Sequence, residues 1–107
     1  MLLSREHDTG VRFTNGRRLT FAVTAEDIAI GQQLDPEGCA IARAINRTLP
    51  NGCCSWVSTQ VVKIYRNGVL HEIEEARTPA SMQAFMCAFD QDQTVQPTSF
   101  TVHFNAP

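Results

Sequence analysis

The chain has 107 residues, a formal net charge of −2 at pH 7 and a hydrophobic share of 43%. This length predicts one domain with its own core, and the hydrophobic share excludes a disordered chain. The acidic balance argues against nucleic-acid binding through general phosphate neutralisation. No apolar run reaches membrane-spanning length, and charged residues directly follow Ser4, which is not typical of a signal peptide. We therefore expect a cytoplasmic protein without membrane contact.

The N-terminal residues 1–10 are polar and unpatterned, and we expect them to be loose, ahead of a single α+β domain over residues 11–107. Residues 11–23 are typical of a β-hairpin around Asn15-Gly16, in which a three-residue loop sets Phe13 opposite Leu19. This hairpin carries a small basic cluster: Arg12, Arg17 and Arg18. Such a cluster suits either a phosphate contact or a sheet edge protected from aggregation.

Two helix starts follow in close succession. Thr24 and Asp27 have the spacing of a capping box, and Gly31 is a typical helix stop. A second start, Asp-Pro at residues 35–36, predicts an amphipathic helix over residues 36–48 that packs on a sheet. Cys39 then falls in the first turn of that helix.

The middle of the chain is typical of β-structure, with candidate strands at residues 53–58, 60–65 and 69–74. Asn67-Gly68 marks a tight hairpin between the last two of them. A two-residue turn there pairs Ile64 with His71 and Lys63 with Glu72.

A further helix opens at Thr78, which we expect to be its N-cap, with Pro79 in the first turn. Its apolar residues recur at helical spacing: Met82, Phe85, Met86 and Phe89. The final strand, residues 99–104, alternates and turns three apolar side chains inward: Phe100, Val102 and Phe104. The order β-β-α-β-β-α-β predicts an α+β fold, with an antiparallel or mixed sheet of about five strands and two main helices on one face.

Cys39 is the residue with the most suggestive chemistry. A thiol in the first turn of a helix meets free backbone N–H groups and the helix dipole, both of which lower its pKa. His71 or His103 could supply a base, which would make the chain a small cysteine-dependent hydrolase or transferase. The alternative is that Cys39 is a buried packing residue.

No metal or cofactor site is predicted. The four cysteines match no zinc spacing, and the segment after His71 lacks the P-C-x-x-C half of the zinc deaminase signature. Reduced thiols are expected. Trp56 and Tyr65 lie on β-prone segments and, if exposed, would suit a protein contact or a stacked base.

Two ordered sets of residues carry a resemblance. They are Thr24-Ala-Glu-Asp-Ile28, Gly31 and Cys39-Ala-Ile-Ala-Arg-Ala-Ile45, followed by Phe85, Phe89-Asp90, Val95-Gln-Pro97 and Phe100. Over residues 19–104 the chain resembles a family of short uncharacterised proteins from bacteriophages and their hosts. The resemblance implies a phage accessory protein acting inside a bacterium, and it carries over no catalytic residue.

The leading hypothesis is a non-enzymatic protein that binds and modulates or inhibits a bacterial host or defence protein, as an anti-CRISPR protein does. Self-association into a homo-oligomer stays open. The first alternative is the cysteine-dependent enzyme built on Cys39. The second is a nucleotide or nucleic-acid binder that uses the Arg12–Arg18 hairpin.

Overall fold

The computed structural model describes residues 18–66 and 69–104, without the side chains of residues 66 and 69–74. The predicted loose N-terminus and the first strand and turn of the N-terminal hairpin lie outside the described residues. The same holds for Arg12, Arg17 and the Asn67-Gly68 turn.

The described chain contains three helices and five strands. In order they are β1 (Arg18–Val23), α1 (Ala25–Ile30), α2 (Ala40–Thr48), β2 (Cys53–Val57), β3 (Val61–Arg66), β4 (Val69–Arg77), α3 (Ala80–Asp90) and β5 (Thr98–His103). None of these helices is long and apolar enough to cross a membrane.

The strands form two antiparallel sheets. β1 pairs with β5, and β2, β3 and β4 pair in that order. An isolated β-bridge between Ala76 and Phe104 connects the two sheets. The predicted α+β class with about five strands is confirmed, although the strands divide between two sheets. The three candidate strands in the middle of the chain are all present, between α2 and α3.

Helix α1 begins with the predicted capping box. The Asp27 N–H donates to the Thr24 hydroxyl at 3.1 Å, and the Thr24 N–H donates to the Asp27 carboxylate at 2.9 Å. Gly31 ends the helix, also as predicted. A Cβ on Gly31 would lie 2.6 Å from the Ala40 nitrogen, so the end of α1 packs closely against the start of α2.

Helix α2 begins at Ala40, so the prediction of a helix from residue 36 is wrong. Residues 35–39 form a turn instead, in which the Cys39 N–H donates to the Asp35 carbonyl at 2.9 Å. The Pro36 carbonyl accepts a bond of 2.9 Å from the N–H of Val57, at the end of β2. Cys39 is therefore the N-cap, and its sulfur accepts a hydrogen bond of 3.4 Å from the Ala42 N–H.

A two-residue turn at residues 67–68 predicts that Arg66 pairs with Val69, and this first pair of β3 and β4 is present. The other predicted pairs are wrong, because Ile64 lies opposite Glu74 and Lys63 lies opposite Glu75. Two irregularities between Ile64 and Arg66 insert extra residues into β4, and such bulges shift the register. The shifted register brings Ala76, which is completely buried, opposite Val62 in the core.

The N-cap of helix α3 is Pro79. The prediction that Thr78 is the N-cap is therefore wrong. The Thr78 hydroxyl donates to the Ser58 carbonyl at 2.8 Å and so ties the start of α3 to the turn between β2 and β3. The predicted apolar stripe of α3 is buried: Met82, Phe85, Met86 and Phe89. Phe85 meets Phe100 of β5 edge-on, with 5.6 Å between the ring centroids.

Helix α2 packs against both β1 and β2 and therefore connects the two sheets. Its small residues Ala40, Ala42 and Ala44 are completely buried, which allows this close approach. The core-facing pattern predicted for the last strand is confirmed, since these side chains are buried: Phe100, Val102 and Phe104.

Candidate functional site

The three-stranded sheet has an inner and an outer face, since side chains alternate along each strand. Ser55, Val57, Val62, Ile64 and Ala76 are buried and define the inner face. Ser55 contacts α2 there, as its hydroxyl donates to the Ala42 carbonyl at 3.3 Å. The strand residues that alternate with these point to the opposite side of the sheet and form what we call the outer face: Cys54, Trp56, Val61, Lys63, Tyr65, Glu75 and Arg77.

Trp56 and Tyr65 lie on neighbouring strands of the outer face. Trp56 lies directly opposite Lys63, whose Nζ is 5.7 Å from the centre of the indole ring, a cation–π arrangement. Tyr65 lies opposite Cys54 and is therefore the diagonal neighbour of Trp56, within the reach of aromatic side chains. Both aromatic residues are only half-buried.

The remaining strand positions give the outer face a charged border. Lys63 lies opposite Glu75 on β4, and Arg77 is exposed at the end of that strand. A cleft of about 420 Å³ opens beside this border, lined by Gln60, Val61, Glu75, Arg77 and Gln83. Protein interfaces favour aromatic and arginine residues within a polar border, and this face has two aromatic residues with Arg77 at its edge.

The basic cluster predicted on the N-terminal hairpin is described only at Arg18. This residue is exposed at the start of β1, where it lies opposite His103 of β5. Arg18 is thus in the other sheet from Trp56 and Tyr65.

The thiol of Cys39 does not have the lowered pKa that its place at a helix start predicts. Burial raises the pKa of Cys39, and the carboxylates of Asp90 and Asp35 raise it further. The hydrogen bond from the Ala42 N–H acts in the opposite direction but is the weaker effect. Cys39 is 5% exposed and is held as a thiol, not as a thiolate nucleophile.

No histidine stands beside Cys39 among the described side chains. The cleft next to the thiol contains Met86 and Asp90 but no described histidine. His103 is exposed on β5, and the side chain of His71 lies outside the described residues. The predicted cysteine–histidine pair is therefore not assembled from Cys39 and His103.

Sequence reasoning missed a buried ion-pair cluster around Asp27. Its carboxylate is completely buried and accepts two bonds from Arg47, at 2.8 Å and 2.7 Å, while Arg47 also donates to the Ala22 carbonyl at 3.0 Å. Arg43 brings its Nε within 3.5 Å of the same carboxylate. The Arg47 hydrogen bonds lower the pKa of Asp27 to about 2, against the opposing effect of burial.

This cluster stabilises the junction of β1, α1 and α2. The signal in the sequence is the pair of arginines four residues apart on one helix, but nothing local indicates that their partner is Asp27.

The chain matches no protein-family model, no curated protein and no solved structure. Within residues 18–66 and 69–104, the described histidine, cysteine and acidic side chains form no group of three that could hold a metal ion. None of the four cysteines, which all lie in the described part of the chain, forms a disulfide; Cys39 is buried and Cys87 is exposed.

Proposed function

We propose that this chain is a non-enzymatic protein-binding domain and that its outer face is the contact surface. The observation that carries the proposal is that Trp56 and Tyr65 are diagonal neighbours on one partly exposed sheet face, beside Lys63. Tryptophan, tyrosine and arginine dominate the binding energy of protein interfaces when they are well packed.

The sheet also holds these aromatic side chains in place before a partner arrives. Trp56 contacts its cross-strand neighbour Lys63, and Tyr65 lies on the central strand of the sheet. Side chains that are already ordered lose less conformational entropy when they bind, so more of their contact energy becomes affinity.

The partner in this proposal is a bacterial host or defence protein, which the chain binds in the bacterial cytoplasm as an inhibitor or modulator of the anti-CRISPR kind. This part rests on the resemblance to short phage and prophage proteins and on analogy with their function. The cysteine-dependent alternative is not adopted, because burial disfavours the thiolate of Cys39 that it requires.

The test is affinity capture with the tagged full chain from nuclease-treated bacterial lysate, followed by calorimetric titration of the purified partner. The Trp56→Ala/Tyr65→Ala double variant should bind at least ~30-fold more weakly, as expected when hot-spot side chains are removed. Thr20→Ala is the matched control, since Thr20 is exposed on the other sheet. Cys39→Ser should bind normally.

Capture that needs nucleic acid would contradict the proposal, and so would the lack of any stoichiometric protein partner. Equal binding by the double variant and the wild type would refute the assignment of the outer face. Circular dichroism and thermal melting of each variant separate lost binding from lost folding.

A further inference from the structure

The loop between α1 and α2 presents an apolar side chain to solvent in a costly conformation. Leu34 is 78% exposed and has a φ of +59°, in the left-handed region that a bulky residue rarely adopts. The backbone N–H of Leu34 donates to the Asp90 carboxylate at 2.9 Å. This bond to the end of α3 holds the strained residue in place.

Leu34 stands at the edge of a cleft of about 300 Å³, which we call the Leu34 cleft. Its apolar lining comes from the loop, from α3 and from the end of β2: Leu34, Pro36, Cys39, Val57 and Met86. The volume is at the lower end of the range of ~300–1,000 Å³ for small-molecule pockets and suits one large side chain of a partner.

The charged side chains that line the Leu34 cleft are both acidic, Asp35 and Asp90. Their field is felt inside the cleft, since both carboxylates raise the pKa of the Cys39 thiol. The neighbouring Glu37 is exposed and adds a third negative charge to the same loop. An apolar cleft with a negative border is complementary to an apolar side chain flanked by positive charges.

We propose that the Leu34 cleft docks a positively charged peptide segment that carries one large apolar side chain. The apolar side chain enters between Leu34, Val57 and Met86, and the flanking lysines or arginines meet Asp35, Asp90 and Glu37. None of the residues that form the outer face lines the Leu34 cleft, and the proposal stands whether or not the outer face binds a partner.

The test uses three fluorescently labelled synthetic peptides and the full chain, with binding measured by fluorescence anisotropy. The first peptide has a central leucine between two pairs of lysines, the second replaces the leucine by alanine, and the third replaces the lysines by glutamates. The leucine–lysine peptide should bind about tenfold more tightly than either of the others, and its affinity should fall as salt is added.

Substitutions in the protein then test whether the peptide binds at the Leu34 cleft. Leu34→Ala should weaken the leucine–lysine peptide about tenfold, whereas Ile30→Ala should not, because Ile30 is also exposed but does not line the cleft. Asp35→Asn keeps the shape of the side chain and removes its charge, so it should weaken binding and reduce the salt dependence.

Three results would overturn the proposal. Equal binding of the alanine peptide would show attraction by charge alone, and equal binding of the glutamate peptide would exclude charge complementarity. Unchanged binding to Leu34→Ala would place the peptide elsewhere. The Trp56→Ala/Tyr65→Ala variant should bind the peptide normally, which keeps this test independent of the outer face.

Discussion

Replacing Asp27 by asparagine tests the buried ion-pair cluster most directly. Asparagine has nearly the same shape and retains one oxygen for the capping box, but it loses the charge that faces Arg47. The wild-type carboxylate accepts two charge-assisted bonds from Arg47 and one backbone bond from Thr24. Bonds of this kind contribute about 1.5–3 kcal/mol each to stability when they are buried.

The expected loss of unfolding free energy is at the lower end of the range that these hydrogen bonds allow. Arg47 is 48% exposed, so its guanidinium can turn to water after the substitution and is not left as an unpaired buried charge. We therefore expect Asp27→Asn to lower the free energy of unfolding by about 2–3 kcal/mol at pH 7. The depressed pKa of Asp27 leads to a similar figure, since a fall from 3.8 to about 2 corresponds to about 2 kcal/mol.

The pKa also fixes the pH range in which this contribution disappears. Because the folded-state pKa lies below the unfolded value, the stabilisation is fully present above about pH 3.8 and is lost as the pH falls towards 2. Urea unfolding at a series of pH values should show wild type and Asp27→Asn converging over this interval.

Arg43 provides the matched control. It lies on the same helix and near the same carboxylate, but its Nε is 3.5 Å away and makes no hydrogen bond. Arg47→Gln should therefore lower the free energy of unfolding clearly more than Arg43→Gln does. In double-mutant cycles, the coupling energy between Asp27 and Arg47 should be larger than that between Asp27 and Arg43. This reasoning would be refuted if the two arginine variants lost equal unfolding free energy, or if Asp27→Asn lay within about 0.5 kcal/mol of wild type.

Three further substitutions or reagents probe single contacts. Gly31→Ala should lower the free energy of unfolding in urea by about 1–3 kcal/mol, because the new Cβ would lie 2.6 Å from the backbone nitrogen of Ala40. An unchanged urea midpoint would contradict this close contact. Leu34→Asn should raise the unfolding free energy by up to ~1 kcal/mol, since asparagine tolerates a positive φ and little apolar burial is lost. Iodoacetamide at pH 7 should alkylate the exposed Cys87 first and the buried Cys39 only after unfolding, as peptide mass mapping would show; early labelling of Cys39 would return the enzyme hypothesis to consideration.

Local patterns predicted those parts of the fold that short-range contacts determine. The capping box at Thr24 and Asp27 and the stop at Gly31 depend on residues within one helix. The apolar stripe of α3 and the alternation in β5 follow from the repeat of each element, which a sequence displays directly.

The errors lie where a distant partner decides the structure. Helix α2 begins late because the Pro36 carbonyl bonds to Val57, about twenty residues further on, and the turn before Cys39 follows from this. The β3–β4 register shifts at two irregularities between Ile64 and Arg66, which a count from the turn cannot foresee, and Ala76 therefore lies beside Val62 in the core. The pKa of Cys39 rises because residues from α3 and β2 bury it.

The outer face could have been predicted in part from the strand period of two, which separates Trp56 from the buried Ser55 and Val57. The missing step was the pairing of β2 with β3, which sets Trp56 opposite Lys63 and Tyr65 on the next diagonal. Two aromatic residues on separate strands become one surface only when that register is known.

Trp56 and Tyr65 lie on the face of the sheet that points away from the core, so we expect the fold to tolerate their truncation. The core lies on the inner face, where Ser55 meets α2 and where Val62, Ile64 and Ala76 are completely or almost completely buried. Truncating a partly exposed side chain on this face removes buried apolar area but opens no enclosed cavity in the core. A double variant that keeps its unfolding midpoint but no longer captures a partner would therefore separate the binding function of the sheet from its structural one.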